Sequence, residues 1–250
     1  MRTRLDQLLH QQGHFPSREK ARRAVMAGTV RVDGQRVDKP GTPIGDGAQL
    51  EVIAQKEPYV SRAGRKLAAA LDHFGVDPAG LVCLDVGAST GGFTDCLLQR
   101  GATRVVALDV GYGQLDMGLR QDPRVKVMER VNARHLAPGD LDDRFGLVTV
   151  DVSFISLRLV VPPVLPFLNP GGLLLPLIKP QFEVGRRQVG KGGIVRDLEV
   201  RRAVIEERVA DLVGLGLESL GMMDSPVPGM EGNREALALF RAPNGDGGRA

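Results

Sequence analysis

The sequence predicts an α/β fold, a Rossmann-like domain with a mostly parallel, seven-stranded sheet, preceded by a small α+β domain. The first observation is that apolar strands and helices alternate regularly from residue 59 onward. The second is that the first of these strands, residues 81–86, ends in a turn of small residues. The third is a change of charge along the chain, whose 250 residues are enough to build two hydrophobic cores.

Composition and charge predict the domain boundaries. We expect the small domain at 1–55, a linker at 56–60, the α/β domain at 61–242 and a polar, glycine-rich tail at 243–250. Residues 1–66 carry 13 Lys and Arg against 7 Asp and Glu, a net charge of +6, whereas the remainder carries 20 against 23, or −3. A small basic domain beside a near-neutral one is expected to bind a polyanion.

Several protein classes are disfavoured by composition. Apolar residues make up 42% of the chain and charged residues 25%, as in ordinary globular proteins. No apolar run reaches the roughly 18 residues of a membrane span, and the richest, 157–168, contains three prolines. The first residues lead into no apolar signal core, and Cys83 and Cys96 fall in predicted buried elements as free thiols. We therefore expect a cytoplasmic protein without a membrane partner, and the four histidines show no metal-binding spacing.

The first fifty residues are predicted to form two helices followed by short strands. A helical face carries Leu5, Leu8 and Leu9, and Ser17 can cap a second helix over 18–27. Asp33-Gly34 then marks the turn of a hairpin, and residues 49–53 form a further strand. A basic helix of this kind is by itself more often a solvated surface than a binding site.

A resemblance to a known domain favours a binding role for this basic helix. The order and spacing of the motifs resemble the RNA-binding domain named after small-subunit ribosomal protein four. The motifs are Arg4-Leu5-Asp6, Ser17-Arg18-x-x-Ala21, Gly28-x-Val30-x-Val32-x-Gly34, Lys39-Pro40 and Gly45-Asp46-Gly47. The resemblance implies a pair of RNA-binding helices whose exposed arginines contact phosphates, which gives affinity more than sequence choice. Arg18, Arg22 and Arg23 are the leading candidates.

The larger domain is predicted as an alternation of strands and helices. Its helices are expected at 64–74, 94–100 and 198–215, and the last two strands follow each other without a helix between them, which predicts an antiparallel edge. The predicted strands lie near 81–86, 104–109, 125–129, 147–152, 172–178, 217–223 and 236–241.

The turn after the first of these strands carries Asp85, Gly87, Ser89 and Gly91. Ser89 stands where the G-x-G-x-x-G dinucleotide pattern has its second glycine, and the spacing fits the looser acidic-x-Gly-x-small-x-Gly pattern of S-adenosylmethionine sites. Asp109 ends the next strand, at the position where doubly wound folds hold a ribose diol. An ordinary strand–turn–helix junction is the alternative, but Asp109 favours a cofactor site.

Charged residues also stand at the ends of two further strands. Asp151 ends the fourth strand and Lys179 follows the fifth. Ligands of open parallel sheets bind beyond the carboxyl ends of the strands, so both side chains are expected there. A capping aspartate and a snorkelling lysine are the ordinary alternatives, but adjacent strand ends favour a shared site. The segment from Asp151 to Phe154 differs from the Asn/Asp-Pro-Pro-aromatic signature of methyltransferases that act on amino groups of bases.

The motifs together resemble the hemolysin A (TlyA) family over essentially the whole chain. They are Ser61-Arg62-Ala63-Gly64-Arg65-Lys66-Leu67, residues 85–95, 109–115, 129–134, 151–157 and 179–185, and Gly232-Asn233-x-Glu235. The resemblance implies a methyltransferase domain similar to the cell-division-protein type of ribose methyltransferases. A catalytic tetrad then falls on Lys66, Asp151, Lys179 and Glu235, with Glu231 as a competitor for the last position. Asn132 and Asp151 join the cofactor positions.

The resemblance implies an S-adenosylmethionine-dependent enzyme that methylates ribose 2′-hydroxyls of ribosomal RNA within ribosomal subunits. No obligate protein partner is evident in the sequence. The basic loop with Arg186, Arg187 and Lys191 is expected to contact RNA, although a linker surface is the alternative. Whether Lys179 acts as a base or only orients the hydroxyl stays open. A membrane-active hemolysin and an RNA-binding protein without catalysis are the alternative functions.

Overall fold

The computed structural model divides the chain into two compact units, Met1–Glu57 and Pro58–Ala250, and the division falls inside the predicted linker. Each unit is described by itself. The structure describes residues 2–53, 57–185, 188–190, 192–229 and 232–244. Most of the predicted tail (residues 245–250) and part of the predicted linker (residue 56) lie outside these residues.

The N-terminal unit is the predicted α+β domain. Ser17 caps its second helix, because the Ser17 hydroxyl accepts a hydrogen bond from the Lys20 amide. Asp33 and Gly34, both with positive φ, form the predicted hairpin turn. A pairing between the segment before the first helix and residues near 44 was not predicted. The elements are β1 (Arg2–Arg4), α1 (Leu5–Gln11), α2 (Arg18–Met26), β2 (Val30–Val32), β3 (Gln35–Arg36), β4 (Pro43–Gly45) and β5 (Leu50–Val52).

The C-terminal unit contains a seven-stranded sheet, as predicted. The strand order is β11-β12-β10-β9-β6-β7-β8, in which β6 to β10 run parallel and β12 runs antiparallel to both of its neighbours. The strands are β6 (Val82–Val86), β7 (Arg104–Asp109), β8 (Val125–Glu129), β9 (Phe145–Val150), β10 (Leu168–Ile178), β11 (Glu218–Asp224) and β12 (Ala236–Arg241). The helices are α3 (Ala63–Phe74), α4 (Gly92–Gln99), α5 (Met117–Gln121), α6 (Leu157–Val164), α7 (Pro180–Glu183) and α8 (Leu198–Gly214).

Helices pack on both faces of this sheet, and the side chains of each buried strand point alternately to one face and the other. On β6, Leu84 belongs to the apolar core that contains α6 and α8, whereas Cys83 belongs to the core that contains α3 and α4. Residues two positions apart point the same way, so Asp85 shares the α3–α4 side with Cys83. This direction decides its surroundings in the site described below.

Helix α6 was missed in the sequence because three prolines interrupt the apolar run 157–168. Two of them, Pro162 and Pro163, lie inside the helix. A proline removes a backbone donor and usually breaks a helix, but here the cap at Ser156 and a buried apolar face outweigh that cost. No helix among the described residues is long and apolar enough to cross a membrane.

Candidate functional site: a cleft at the strand ends

A cleft with two chambers opens where the parallel strands end. The larger chamber has a volume of about 350 Å³ and extends along Asp109 and Asn132. The smaller chamber, of about 150 Å³, reaches Lys179. The residues that line both chambers are Gly87, Ser89, Asp151 and Ser153. The two chambers are therefore parts of one site at the sheet edge where ligands of such folds bind.

Two glycines of the predicted cofactor turn allow close approach of the backbone. Gly87 has φ +85°, and a Cβ there would lie 2.5 Å from the carbonyl oxygen of Asp151. Gly91 has φ +98°, and a Cβ there would overlap the side chain of Leu119. Any other residue at either position would strain the backbone and displace its neighbour.

Asp109 lies at the wall of the larger chamber, and backbone amides orient its carboxylate. Oδ2 accepts a hydrogen bond of 2.8 Å from the Ser89 amide, and Oδ1 accepts one of 2.6 Å from the Gly111 amide. A carboxylate has about four acceptor positions, so it can accept further hydrogen bonds from a ligand. Ser89 itself has φ +50°, an uncommon conformation that turns its amide toward Asp109.

Asp85 lies beneath the cleft and lines neither chamber, in contrast to the cofactor contact predicted for it. It is fully buried, and its carboxylate accepts hydrogen bonds from the hydroxyls of Thr94 (2.7 Å) and Thr149 (3.2 Å). Burial raises the pKa of Asp85 to about 7, although the two threonine hydroxyls lower it. Asp85 thus ties β6 to α4 and β9 and supports the turn above it.

Asn132 lines the larger chamber. Its side-chain oxygen accepts a hydrogen bond of 3.1 Å from the Arg134 amide and caps the short helical turn Ala133–His135. The side-chain NH₂ group remains as a donor toward a ligand.

Asp151 and Lys179 form an ion pair at the smaller chamber. Lys179 Nζ lies 2.6 Å from Asp151 Oδ1 and donates a hydrogen bond of 2.8 Å to Ser153 Oγ. The approach of Nζ to Oδ1 is that of an ion pair rather than an aligned hydrogen bond. Both side chains are mostly buried, 11% and 15% exposed, so the pair is only weakly screened by water.

Lys66 and Glu235 form a second ion pair, with Nζ 2.5 Å from Oε2. Glu235 is 2% exposed and lies against the backbone of Gly229, where a Cβ would meet the carboxylate. Two buried charges of this kind are stable only as a pair.

Sheet register makes the two pairs neighbours. Ile178 of β10 pairs with Ala236 of β12, and the next residues outward on those strands are Lys179 and Glu235. The four residues predicted as a tetrad therefore occur as two neighbouring lysine–carboxylate pairs. Asp151, Lys179 and Glu235 stand on adjacent strand ends, and Lys66 reaches Glu235 from α3. Lys66 and Glu235 line neither chamber. Their roles are taken up below as a proposal.

A buried support for this segment was not found in the sequence. Glu183, which ends α7, accepts hydrogen bonds from Ser156 Oγ (2.5 Å) and the Leu157 amide (2.9 Å), and buried Arg208 lies 3.6 Å away. Burial raises the pKa of Glu183, and these contacts oppose the rise. Glu183 thereby connects the segment after Lys179 with the loop after Asp151. The only sequence signal was its place in the motif 179–185.

The loop after Asp151 also has an unusual conformation. Phe154 has φ +65° and is 88% exposed, and its ring lies 4.9 Å from that of Phe182. A bulky residue with positive φ is a strained exception of the kind found at functional sites.

The predicted RNA-binding residues are only partly described. Arg18, Arg22 and Arg23 are exposed on α2, where Arg18 pairs with Asp6 and Arg23 with Glu19. Arg186, Arg187 and Lys191 lie outside the described residues, as does Glu231, the competitor of Glu235.

The strand order and the cleft define the class: a Rossmann-like α/β domain with a ligand site at its strand ends, joined to a small α+β domain. The FtsJ-like methyltransferase family matches residues 59–242, and the S4 domain family matches residues 3–50. The chain belongs to the TlyA family of FtsJ-like methyltransferases, as the motifs predicted.

Relatives and solved structures agree with this assignment. The 16S/23S rRNA (cytidine-2′-O)-methyltransferase TlyA of Mycobacterium tuberculosis is 47% identical over 96% of this chain and 90% of its own length. Hemolysin A of Brachyspira hyodysenteriae is 43% identical over 95% of this chain and 99% of its own length. A solved structure of a candidate hemolysin from Streptococcus thermophilus has a TM-score of 0.76 and 44% identity, and covers 97% of this chain and 89% of that one.

Proposed function

We propose that the chain is an S-adenosylmethionine-dependent methyltransferase that modifies ribose 2′-hydroxyls of ribosomal RNA. The observation that carries the proposal is the Asp151–Lys179 pair at a chamber that shares its walls with the glycine turn. The relative TlyA is named as a 16S/23S rRNA (cytidine-2′-O)-methyltransferase, and this activity supports the choice of acceptor.

The larger chamber fits the cofactor. S-adenosylmethionine, when bound, supplies an electrophilic methyl group on a sulfonium. Asp109 would accept hydrogen bonds from the ribose diol, and Asn132 would face the adenine. Gly87, Ser89 and Gly91 would carry the backbone that lies against the amino-acid part, which reaches Asp151. Asp85 supports this turn from below rather than touching the cofactor.

Lys179 would orient the acceptor hydroxyl. An ammonium group has three donors; in the described residues one of them faces Asp151 and another Ser153. The third can point to the ribose oxygen and hold it in line with the methyl group. The hydroxyl proton would pass to solvent as the oxygen–carbon bond forms and the sulfur–carbon bond breaks, and the ammonium would stabilise the alkoxide character of the oxygen. Lys179 is paired with a carboxylate. This geometry favours a lysine that orients the ribose hydroxyl over a lysine that acts as the base and removes the hydroxyl proton.

Lys66, from α3, and Glu235, from the adjacent strand end, would complete the acceptor site beside Lys179. The carboxylate of Glu235 holds the Lys66 ammonium, and a second buried cation near Lys179 adds to the positive potential felt by the acceptor oxygen. Removal of either member would leave the other as an unpaired buried charge.

Transfer of a labelled methyl group from S-adenosylmethionine to ribosomal subunits and to protein-free ribosomal RNA tests the proposal. Nuclease digestion and mass spectrometry of the nucleosides identify the product. We expect a 2′-O-methylated nucleoside, with cytidine as the base by analogy with the relative. A base-methylated product, or no transfer to either substrate, would refute the proposal.

The hemolysin alternative rests on the names of relatives, and no feature of the described residues adds to it. Release of a dye from liposomes by the purified protein would test it directly.

A further inference from the structure

The N-terminal unit contains a buried carboxylate that holds two arginines. Asp6 is 2% exposed, and its Oδ1 and Oδ2 accept hydrogen bonds from Arg4 Nε (3.1 Å) and Arg4 Nη2 (3.2 Å). Arg18 Nε donates a third, of 3.1 Å, to Oδ2. One carboxylate therefore fixes two guanidinium groups from two different elements.

The fold positions each of the three residues independently. Arg4 ends β1, where it is in register with Pro43, and Asp6 lies in the first turn of α1 with its amide donating to Pro40 O. Arg18 is the first residue of α2, directly after the capping Ser17. Gly41 leaves space for the Arg4 guanidinium, since a Cβ at Gly41 would lie 2.8 Å from Arg4 Nη1.

The outer sides of the two guanidiniums face an open cleft of about 700 Å³. Arg4 and Arg18 are about half exposed, 51% and 53%, although Asp6 is not. Among the described residues no hydrogen bond is made by either Nη atom of Arg18. Arg22 and Lys39 line the same cleft, which leaves several donors directed to solvent. Burial raises the pKa of Asp6, but the hydrogen bonds from Arg4 and Arg18 outweigh it and hold the pKa below its usual value.

We propose that Asp6 is a positioning residue that fixes Arg4 and Arg18 as a clamp for phosphates of an RNA backbone. The inference rests on the proposed function, since it requires that the chain binds RNA. Planar guanidiniums recognise phosphate oxygens through pairs of parallel hydrogen bonds. A guanidinium that is already fixed loses less side-chain freedom on binding than a free one.

Neutralising Asp6 separates this role from simple electrostatics. Asp6→Asn removes a negative charge next to a polyanion site, so charge alone predicts tighter RNA binding. Positioning predicts the opposite sign, because Arg4 and Arg18 lose the group that orients them. We expect about 5- to 50-fold weaker binding of a labelled RNA stem–loop by the full chain at fixed salt.

Asp38→Asn is the matched control. Asp38 is exposed in the same cleft and makes no ion pair with a described residue, so the variant has the same change of charge without loss of a clamp. It should bind RNA as tightly as the unmodified chain or more tightly. A chain that fails to bind RNA without any substitution would contradict the proposed function itself rather than the role of Asp6.

Gly41→Ala tests the clamp without touching Asp6 or any charge. The added methyl would displace the Arg4 guanidinium, whose end is flexible, so the fold should persist and RNA binding should weaken. In a chain with both Arg4→Gln and Arg18→Gln, the further change Asp6→Asn should no longer weaken binding. Equal or tighter binding by both Asp6→Asn and Gly41→Ala, with unchanged thermal unfolding, would overturn the inference.

Discussion

Asp85 and Asp109 lie at the carboxyl ends of neighbouring parallel strands and each is followed by Val-Gly, yet their surroundings differ. Asp85 is paired in register with Ala107 and Thr149, inside the sheet. Asp109 lies one position beyond the last paired row of β6, which is formed by Val86 and Leu108. Thus Asp85 is covered by α4 and receives threonine hydroxyls, whereas Asp109 reaches the cleft and receives backbone amides.

The comparison shows that residues on the two sides of one row of paired residues, Val86 with Leu108 and Val150, have different roles. Residues on the outer side of this row line the cleft, and residues on the inner side support it. Asp151 also stands one position beyond Val86, since Val150 pairs with Val86. The outer row, with Gly87, Asp109 and Asp151, forms the walls of the site. The inner row, with Asp85 and Thr149, forms its buried foundation. Substitutions in the outer row should therefore change methyl transfer or cofactor affinity. Substitutions in the inner row should change the free energy of unfolding.

The largest effect is expected for Lys179, which faces Asp151 of the outer row. Lys179→Ala removes the donor for the acceptor oxygen, and the rate of methyl transfer should fall by about 100- to 10,000-fold. Cofactor affinity, measured by calorimetry, should stay within a few-fold of the unmodified chain. Lys126→Ala is the control, because Lys126 pairs with Asp142 at the surface. If Lys179→Ala lost cofactor affinity by the same factor as the rate of methyl transfer, Lys179 would act in cofactor binding rather than in the transfer step.

A smaller effect is expected at Asp109. Asp109→Asn removes a charged acceptor, and the cofactor Kd should rise by about 10- to 100-fold, since hydrogen bonds to charged groups contribute about 1.5–3 kcal/mol. Calorimetric titration with S-adenosylhomocysteine measures it. An unchanged Kd would place the ribose elsewhere in the cleft.

At Asp85 the effect should appear in stability and depend on pH. Its pKa in the folded chain is raised to about 7, so the unfolded chain ionises first and the contribution of Asp85 to wild-type stability falls as the pH rises from about 4 to about 7. Asp85→Asn lacks this group, so its free energy of unfolding relative to wild type should increase across that range. Urea titrations at both ends of the range measure it. A pH-independent difference would show that folding does not raise the pKa of Asp85.

The smallest effect is expected for Thr149→Val, which removes the longer of the two hydroxyl donors to Asp85. The free energy of unfolding should fall by about 0.5–1.5 kcal/mol, mainly above the pKa of Asp85, where the carboxylate is charged. Cofactor affinity and methyl transfer should not change. A marked loss of affinity would mean that the inner row takes part in binding.

Local sequence signals were enough to predict the parallel sheet, its antiparallel edge and the approach of Asp109, Asp151 and Lys179 to one edge. They could not distinguish the row of Asp85 from that of Asp109, because register depends on pairing between distant strands. Lys66 and Glu235 came only from the family resemblance, since 169 positions separate them and no local pattern marks a buried pair.

Other features depended on tertiary packing. Helix α6 forms despite Pro162 and Pro163 because its apolar face is buried against the sheet. The link from Glu183 to Ser156 and the clamp at Asp6 join elements whose approach only the folded chain defines. In the sequence, Glu183 and Asp6 look like ordinary acidic residues. In the folded chain both are buried, and each holds together side chains from different elements.

Single-turnover methyl transfer to ribosomal RNA, followed as the cofactor concentration is raised, tests the separation of binding from chemistry most directly. Asp109→Asn should recover a rate within a few-fold of the unmodified chain at saturating S-adenosylmethionine, whereas Lys179→Ala should remain slow at every concentration. Recovery of Lys179→Ala by added cofactor, or a rate of Asp109→Asn that stays low at saturation, would contradict the account.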